Sequence, residues 1–221
     1  MADVLLTRRQ ILLLKAESTY NTDAAPNEAN SMESIRLIDP FRFDPGQEMV
    51  EVAGGNLTRG FSRPIATVRP AGITFRSYMV GIATQSYAAS VKPPLADALR
   101  ACGLQETLVN ATYQYDPTID VSSDISVTIV CHQDGFEHRL TGCRGNVNLV
   151  FVAGAPVVAE FTFRGILGSE ASTTRSAPTG LPTVAPPRWI GSDSVYVESL
   201  QAVVENLNFN TNNTVFEQRA S

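Results

Sequence analysis

Residues 125–165, ISVTIVCHQDGFEHRLTGCRGNVNLVFVAGAPVVAEFTFRG, alternate apolar and polar side chains so regularly that they restrict the chain to antiparallel sheet. Asp134-Gly135 is the pivot, because this dipeptide accepts the positive φ angles of a two-residue hairpin loop. The pairing that follows sets Gln133 opposite Phe136, His132 opposite Glu137, Cys131 opposite His138 and Ile129 opposite Leu140. Ile125, Val127, Ile129, Cys131, His138 and Leu140 then share one face, which is expected to be buried. Ser126, Thr128, Val130, His132, Glu137, Arg139 and Thr141 share the other, which is mostly polar and is expected to be the wetter side. A second hairpin is expected directly afterwards, rising over 146–152, turning at 153–156 and returning over 157–164. Val157, Ala159, Phe161 and Phe163 point inward on that return, and Glu160, Thr162 and Arg164 outward. Together these hairpins predict a four-strand antiparallel meander.

A chain of 221 residues with 43% hydrophobic side chains can bury one substantial core, and a single β-rich domain over 1–221 is expected. No apolar run approaches the roughly 20 residues that cross a bilayer as a helix. Arg8 and Arg9 split the apolar N-terminus and Asp3 spoils the basic start of a signal peptide, so export is not expected. Cys102, Cys131 and Cys143 are odd in number and lack CxxC spacing, which suits buried free thiols. The formal charge of −5 opposes a sequence-reading nucleic-acid protein, which needs a basic stripe against phosphates. All basic residues but Lys15 and Lys92 are arginines, a bias that fits bidentate ion pairs between subunits as well as it fits codon composition.

Before the meander, residues 5–20 read as a strand in preference to a helix. Residues 21–47, rich in Asn, Asp, Ala and Pro but carrying Ile35, Leu37, Phe41 and Phe43, read as an N-terminal arm with one short strand near Ser34. An arm of this composition needs a surface to lie on, and a neighbouring subunit is the expected one; deletion of 1–30 is expected to leave a folded monomer. Residues 49–52 form a short strand. Residues 56–76 carry Arg59, Arg63, Arg69 and Arg76 in a loop that is either solvated or docked on an acidic partner, and 72–83 re-enter the sheet. Residues 93–103 predict the one helix: prolines are tolerated at its start and Gly103 supplies a left-handed stop, with Leu95, Leu99 and Cys102 in one apolar stripe. Residues 108–115 predict a strand, 165–190 a long irregular loop, and 194–204 and 207–216 the final strands.

The residues offer little catalytic chemistry. Both histidines lie in the Asp134 hairpin, and strand parity puts His132 on one face and His138 with Cys131 on the other, which splits any zinc cluster. Gly-x-Ser-x-Gly, Walker and GxGxxG patterns are absent. Asp116, Asp120 and Asp124 suit turn capping better than paired acid and base work. No enzyme activity, cofactor or metal is expected.

Several segments resemble the tail tube (major tail) proteins of long-tailed bacteriophages. In LLLKAESTYNTDAAP, Lys15, Glu17, Thr19, Tyr20, Thr22 and Asp23 match that family's opening signature; Asn21 stands where glycine is usual and is the next best residue at a left-handed angle. PLADALRACG, residues 94–103, is similar to the family's helix. The meander matches with Asp134-Gly135, Leu140-Thr-Gly142, Arg144-Gly145 and Phe161-Thr-Phe163-x-Gly165 in order, and LNFNTNNTVF, 207–216, resembles its last strand.

The resemblance implies a mainly β fold, an antiparallel β-barrel or sandwich with one flanking α-helix and a long N-terminal arm and loops. It implies a structural subunit that assembles as hexameric rings stacked into a tube in the virion tail, made in the bacterial host cytoplasm, with a lumen that conducts double-stranded DNA during ejection. Its implied partners are further copies of itself and the tail tip, terminator and tape measure proteins; DNA passes without specific binding and no membrane is entered. Tyr20, Phe41, Phe43, Arg59, Arg63 and Arg69 are the expected stacking contacts between subunits. Thr128, Glu137, Arg139 and Thr141 are expected at the lumen or at a seam between subunits. A soluble β-sandwich that binds a ligand or carbohydrate, as a receptor-binding module, is the alternative, with the 165–190 loop as its rim.

Overall fold

The computed structural model describes residues 10–30, 33–46, 49–51, 64–66, 69–81, 92–117, 124–133, 135–172, 178–179, 181, 183–190, 196–197, 200–201, 205–213 and 215. In chain order the strands are β1 (Gln10–Ala16), β2 (Ser34–Ile35), β3 (Arg42–Asp44), β4 (Met49–Glu51), β5 (Pro64–Ala66) and β6 (Pro70–Tyr78). The helix α1 (Ala96–Arg100) follows, then β7 (Leu104–Val109), β8 (Thr112–Pro117), β9 (Val127–Gln133), β10 (Phe136–Val152) and β11 (Val158–Ser172). Short β12 (Tyr196–Val197) and β13 (Leu200–Gln201) precede β14 (Asn206–Asn210). The fold is mainly β, antiparallel and sandwich-like, with one short helix, and it does not close as a barrel.

The principal sheet runs β2-β1-β9-β10-β11-β6-β3, and β14 pairs with the far end of β10, on the edge that β9 uses nearer its start. Between β9 and β10 the register is the one that period-two alternation predicts, with Gln133 opposite Phe136 and Ile129 opposite Leu140. Gly135 sits in the turn at φ +91°, while Asp134 lies outside the described residues. Most of the expected inward face packs as expected, while Ile125, His138 and Val157 are only half-buried. Val127, Ile129, Cys131, Leu140, Ala159, Phe161 and Phe163 are fully buried, and the rings of Phe75, Phe161 and Phe163 stack at 5.1–6.0 Å between centroids. Leu95, Leu99 and Cys102 lay the predicted apolar stripe of α1 on this core.

Four expectations of local structure are corrected. The meander has three long strands where four are expected, because β10 runs unbroken for 17 residues through Gly142 and Gly145. An extra residue in β10 between Leu140 and Cys143, a bulge opposite β9, absorbs the irregularity that reads as a break. The helix spans only five residues: Pro94 disfavours helical geometry at Pro93, the Ala96 N–H closes a turn on the Pro93 carbonyl, the first i→i−4 bond runs from the Leu99 N–H to the Leu95 carbonyl, and Gly103 follows at φ +80°. The strand expected over 108–115 is a hairpin, β7 and β8, turned at Asn110-Ala111 with both φ positive. β11 continues to Ser172, so the irregular stretch begins later than 165.

Residues 10–16 form the strand expected of them, and it is built into the core: β1 lies between the two-residue β2 and β9, with Leu12, Leu13 and Leu14 buried across both faces. A chain lacking 1–30 loses this strand and uncovers β9, so the folded truncated monomer is not expected.

Candidate functional site

The polar face of the meander is buried, which corrects its reading as the wetter side. Thr128 is 0% and Glu137 6% exposed, and Ser126, His132 and Thr141 are also buried. What covers them is the chain's own arm. Glu17 leaves β1 and turns its carboxylate onto the sheet, where Oε2 accepts from the Ser126 hydroxyl at 2.6 Å and Oε1 accepts from the Thr128 hydroxyl at 2.9 Å and the Gly142 N–H at 2.8 Å. The Gly142 N–H is the group that the β10 bulge leaves without a ladder partner, so one carboxylate caps the irregularity that shapes the longest strand. Glu17 also accepts from the Asn21 N–H at 2.8 Å, which closes a tight turn in the arm.

The rest of the arm follows residue by residue. Asn21 adopts φ +61°, the left-handed angle anticipated at this position, and its side-chain oxygen accepts from Thr141 Oγ1 at 2.6 Å. The Ala24 N–H donates to Thr128 Oγ1 at 3.0 Å, and Arg139 bridges the Asp23 carboxylate to that of Glu137, the latter at 2.9 Å. Burial works against the Arg139 charge, but the hydrogen bonds it donates to Glu137 and Asp23, with their negative charge, outweigh it and raise its pKa. A second anchor, which the sequence reading misses, is Glu33. It is buried, pairs with Lys15 at 3.3 Å and accepts from the Asn27 N–H at 2.6 Å and Asn30 Nδ2 at 2.9 Å. Its signal was available in the sequence as a lone acidic residue beside a strand, with a lysine on the facing one.

The expected subunit contacts fall into three groups. Tyr20 is 54% exposed, covers Gly142 so closely that a Cβ there would sit 3.3 Å from the ring, and has the Arg144 guanidinium 5.7 Å from its ring centre. Arg69 is exposed and pairs with Glu170 at 3.1 Å. Phe41, at 5% exposure, is packed in the chain's own core, and half-buried Phe43 stacks on His138 at 4.3 Å, so neither presents a free face. Arg59 and Arg63 lie outside the described residues. Thr128, Glu137, Arg139 and Thr141 are brought together, as parity requires, but beneath the arm.

The covered patch is half of a larger surface. Past the bulge, the same face of β10 continues with Arg144, Asn146 and Asn148, flanked by Thr162 and Glu160 on β11 and Thr74 and Arg76 on β6. Here the 210–213 segment bonds to the Asn146 side chain at the sheet's edge and Arg144, Asn146 and Asn148 are half-buried, while Thr74, Arg76, Thr162 and Arg164 are exposed. Tyr20 stands at the border between the covered and the bare halves.

The three thiols are free and buried in the core. Burial pushes the Cys131 thiol well up, with Cys143 and Glu137 adding to it, and burial pushes Cys102 and Cys143 up as well. His132 and His138 oppose Glu137 and Cys131, respectively, and so lie on opposite faces. Among the described residues no helix is long and apolar enough to cross a membrane.

Residues 7–215 match a protein family described as Phage tail tube protein, which covers nearly the whole chain. A search of curated proteins finds no match.

Proposed function

The chain belongs to the phage tail tube protein family, a structural component of the virion tail, and we propose that it assembles as hexameric rings stacked into a tube whose lumen conducts double-stranded DNA during ejection. The observation that carries this reading is the family match over 7–215. The bare half of the sheet supports it. This face presents Thr74, Thr162 and Asn148, uncharged polar side chains that suit a wall that water and DNA pass without gripping. The charges on and beside it balance, with Arg42, Arg76, Arg144 and Arg164 against Asp39, Asp44, Asp124 and Glu160. That balance leaves no net basic stripe to hold phosphates.

In this reading 1–221 is one tube domain. Thr128, Glu137, Arg139 and Thr141 serve the seam between sheet and arm, and the lumen wall falls to Thr74 and Thr162, with Asn148, further along the sheet. Tyr20 and Arg69, with Arg59 and Arg63, are the stacking contacts between rings. The tail tip, terminator and tape measure proteins are the partners at the tube's ends and within it.

Negative-stain electron microscopy of the purified protein at rising concentration, with and without tail-tip nucleators, tests the proposal. Six-fold rings and tubes with an open channel are expected. A protein that stays monomeric under every condition refutes it.

A further inference from the structure

The bare half of the sheet carries a charge arrangement that a single chain leaves unresolved. Arg144 on β10 and Arg164 on β11 are directly opposed partners, and like charges at directly opposed positions destabilise a sheet. Arg144 has partial relief: it reaches Asp124 at 3.6 Å and lies over the Tyr20 ring, but its Nε is buried without an acceptor. Arg164 has none. It is exposed, its neighbour on the other flank is Gly72, which has no side chain, and among the described residues no carboxylate pairs with it.

Two arginines at directly opposed positions on adjacent strands can share one carboxylate, each donating through N–H groups. Such a ligand turns the repulsion into attraction. We propose that the Arg144–Arg164 pair, with the exposed ring of Tyr20 beside it, is the docking site for an Asp or Glu side chain of a second copy of this chain. The proposal rests on the tube reading above and adds to it the surface and the chemistry of one contact. Charge decides for a second copy over DNA. The face around the pair is balanced in charge, which disfavours a polyphosphate, whereas the chain carries 22 acidic residues against 17 basic ones and so offers carboxylates in excess.

The test is Arg164→Glu, with Arg164→Gln as the milder variant, each measured for thermal stability as a monomer and for assembly by sedimentation velocity and electron microscopy. The expected result is a midpoint unchanged or raised, since a repulsive pair is removed, together with a critical concentration for assembly raised at least about tenfold, equivalent to one factor of ten in affinity. Raising salt is expected to weaken assembly of the natural chain more than that of Arg164→Gln. Assembly of Arg164→Glu at the natural concentration overturns the proposal while the tube reading stands. A lowered midpoint with lost assembly also overturns it, because the arginine is then part of the monomer's own structure. So does normal assembly with altered retention of duplex DNA, which assigns the pair to DNA. If the natural chain forms no rings or tubes, the tube reading itself fails.

Discussion

Removing the Glu17 carboxylate tests the attachment of the arm most directly, because this one side chain makes three of the arm's hydrogen bonds to the sheet. In Glu17→Ala three charge-assisted hydrogen bonds between arm and sheet vanish together: those from Ser126 Oγ, Thr128 Oγ1 and the Gly142 N–H. Each such bond contributes roughly 1.5–3 kcal/mol, and a buried donor left unsatisfied costs about 1–3 kcal/mol. The losses do not add in full, since water enters once the half-buried carboxylate is gone and the Ser126 hydroxyl can turn to it. Thr128 and Gly142 have less recourse, being buried against the arm. The net expectation is a loss of about 3–5 kcal/mol, a large fraction of the roughly 5–15 kcal/mol that holds a domain folded. Glu17→Gln keeps the shape and one acceptor oxygen and is expected to lose about 1–2 kcal/mol. Equilibrium urea unfolding of the monomer, followed by far-ultraviolet circular dichroism, measures both, and a Ser126→Ala cycle with Glu17→Ala isolates their coupling. A loss below about 1 kcal/mol for Glu17→Ala refutes the account of the arm as a load held by this carboxylate.

Phe163→Ala, at a fully buried ring between Phe75 and Phe161, is expected to cost roughly 3–5 kcal/mol in the same assay, and a cost under about 1 means that the register of β11 is wrong. Asn21→Val places a β-branched residue at φ +61° and removes the Thr141 partner; a loss of about 1–3 kcal/mol is expected, while Asn21→Gly, which keeps the angle, loses less. Deletion of 1–30 is expected to give a chain without cooperative unfolding, and a sharp transition from that truncation contradicts the placement of β1 in the core. The fold raises the pKa of Cys102, Cys131 and Cys143, chiefly by burial, so above the ordinary thiol pKa of about 8.5 the unfolded chain releases protons that the folded chain keeps. These groups therefore leave stability level below that pH and lower it progressively above; a melting temperature that does not fall between pH 8 and 10, or one that falls equally in a Cys131→Ala variant, goes against this.

What the sequence makes legible here is whatever depends on period and turn chemistry. Parity placed Phe161, Phe163, Ile129 and Leu140 on one side, and the structure buries them there because a strand has only two sides and one must meet the core. Parity says nothing of what lies on the second side. Ser126, Thr128 and Thr141 read as solvent-facing because they are polar, yet their hydroxyls bond to Glu17 and Asn21 from 109 to 120 residues away in the chain. The polar side chains of the signature do the same from the other partner: Lys15, Glu17 and Asp23 are arm fasteners, a role visible only when both halves are in place. Arg144 was hidden for a different reason. Strict alternation from buried Leu140 would send residue 144 into the core; the extra residue at the bulge shifts the phase, so that Cys143, Gly145 and Val147 face inward and Arg144 emerges opposite Arg164. The same shift exposes the Gly142 N–H that Glu17 caps. One inserted residue thus accounts both for the Gly142 contact that helps fasten the arm and for the opposed arginines beside it, and shortening the bulge would remove the two together.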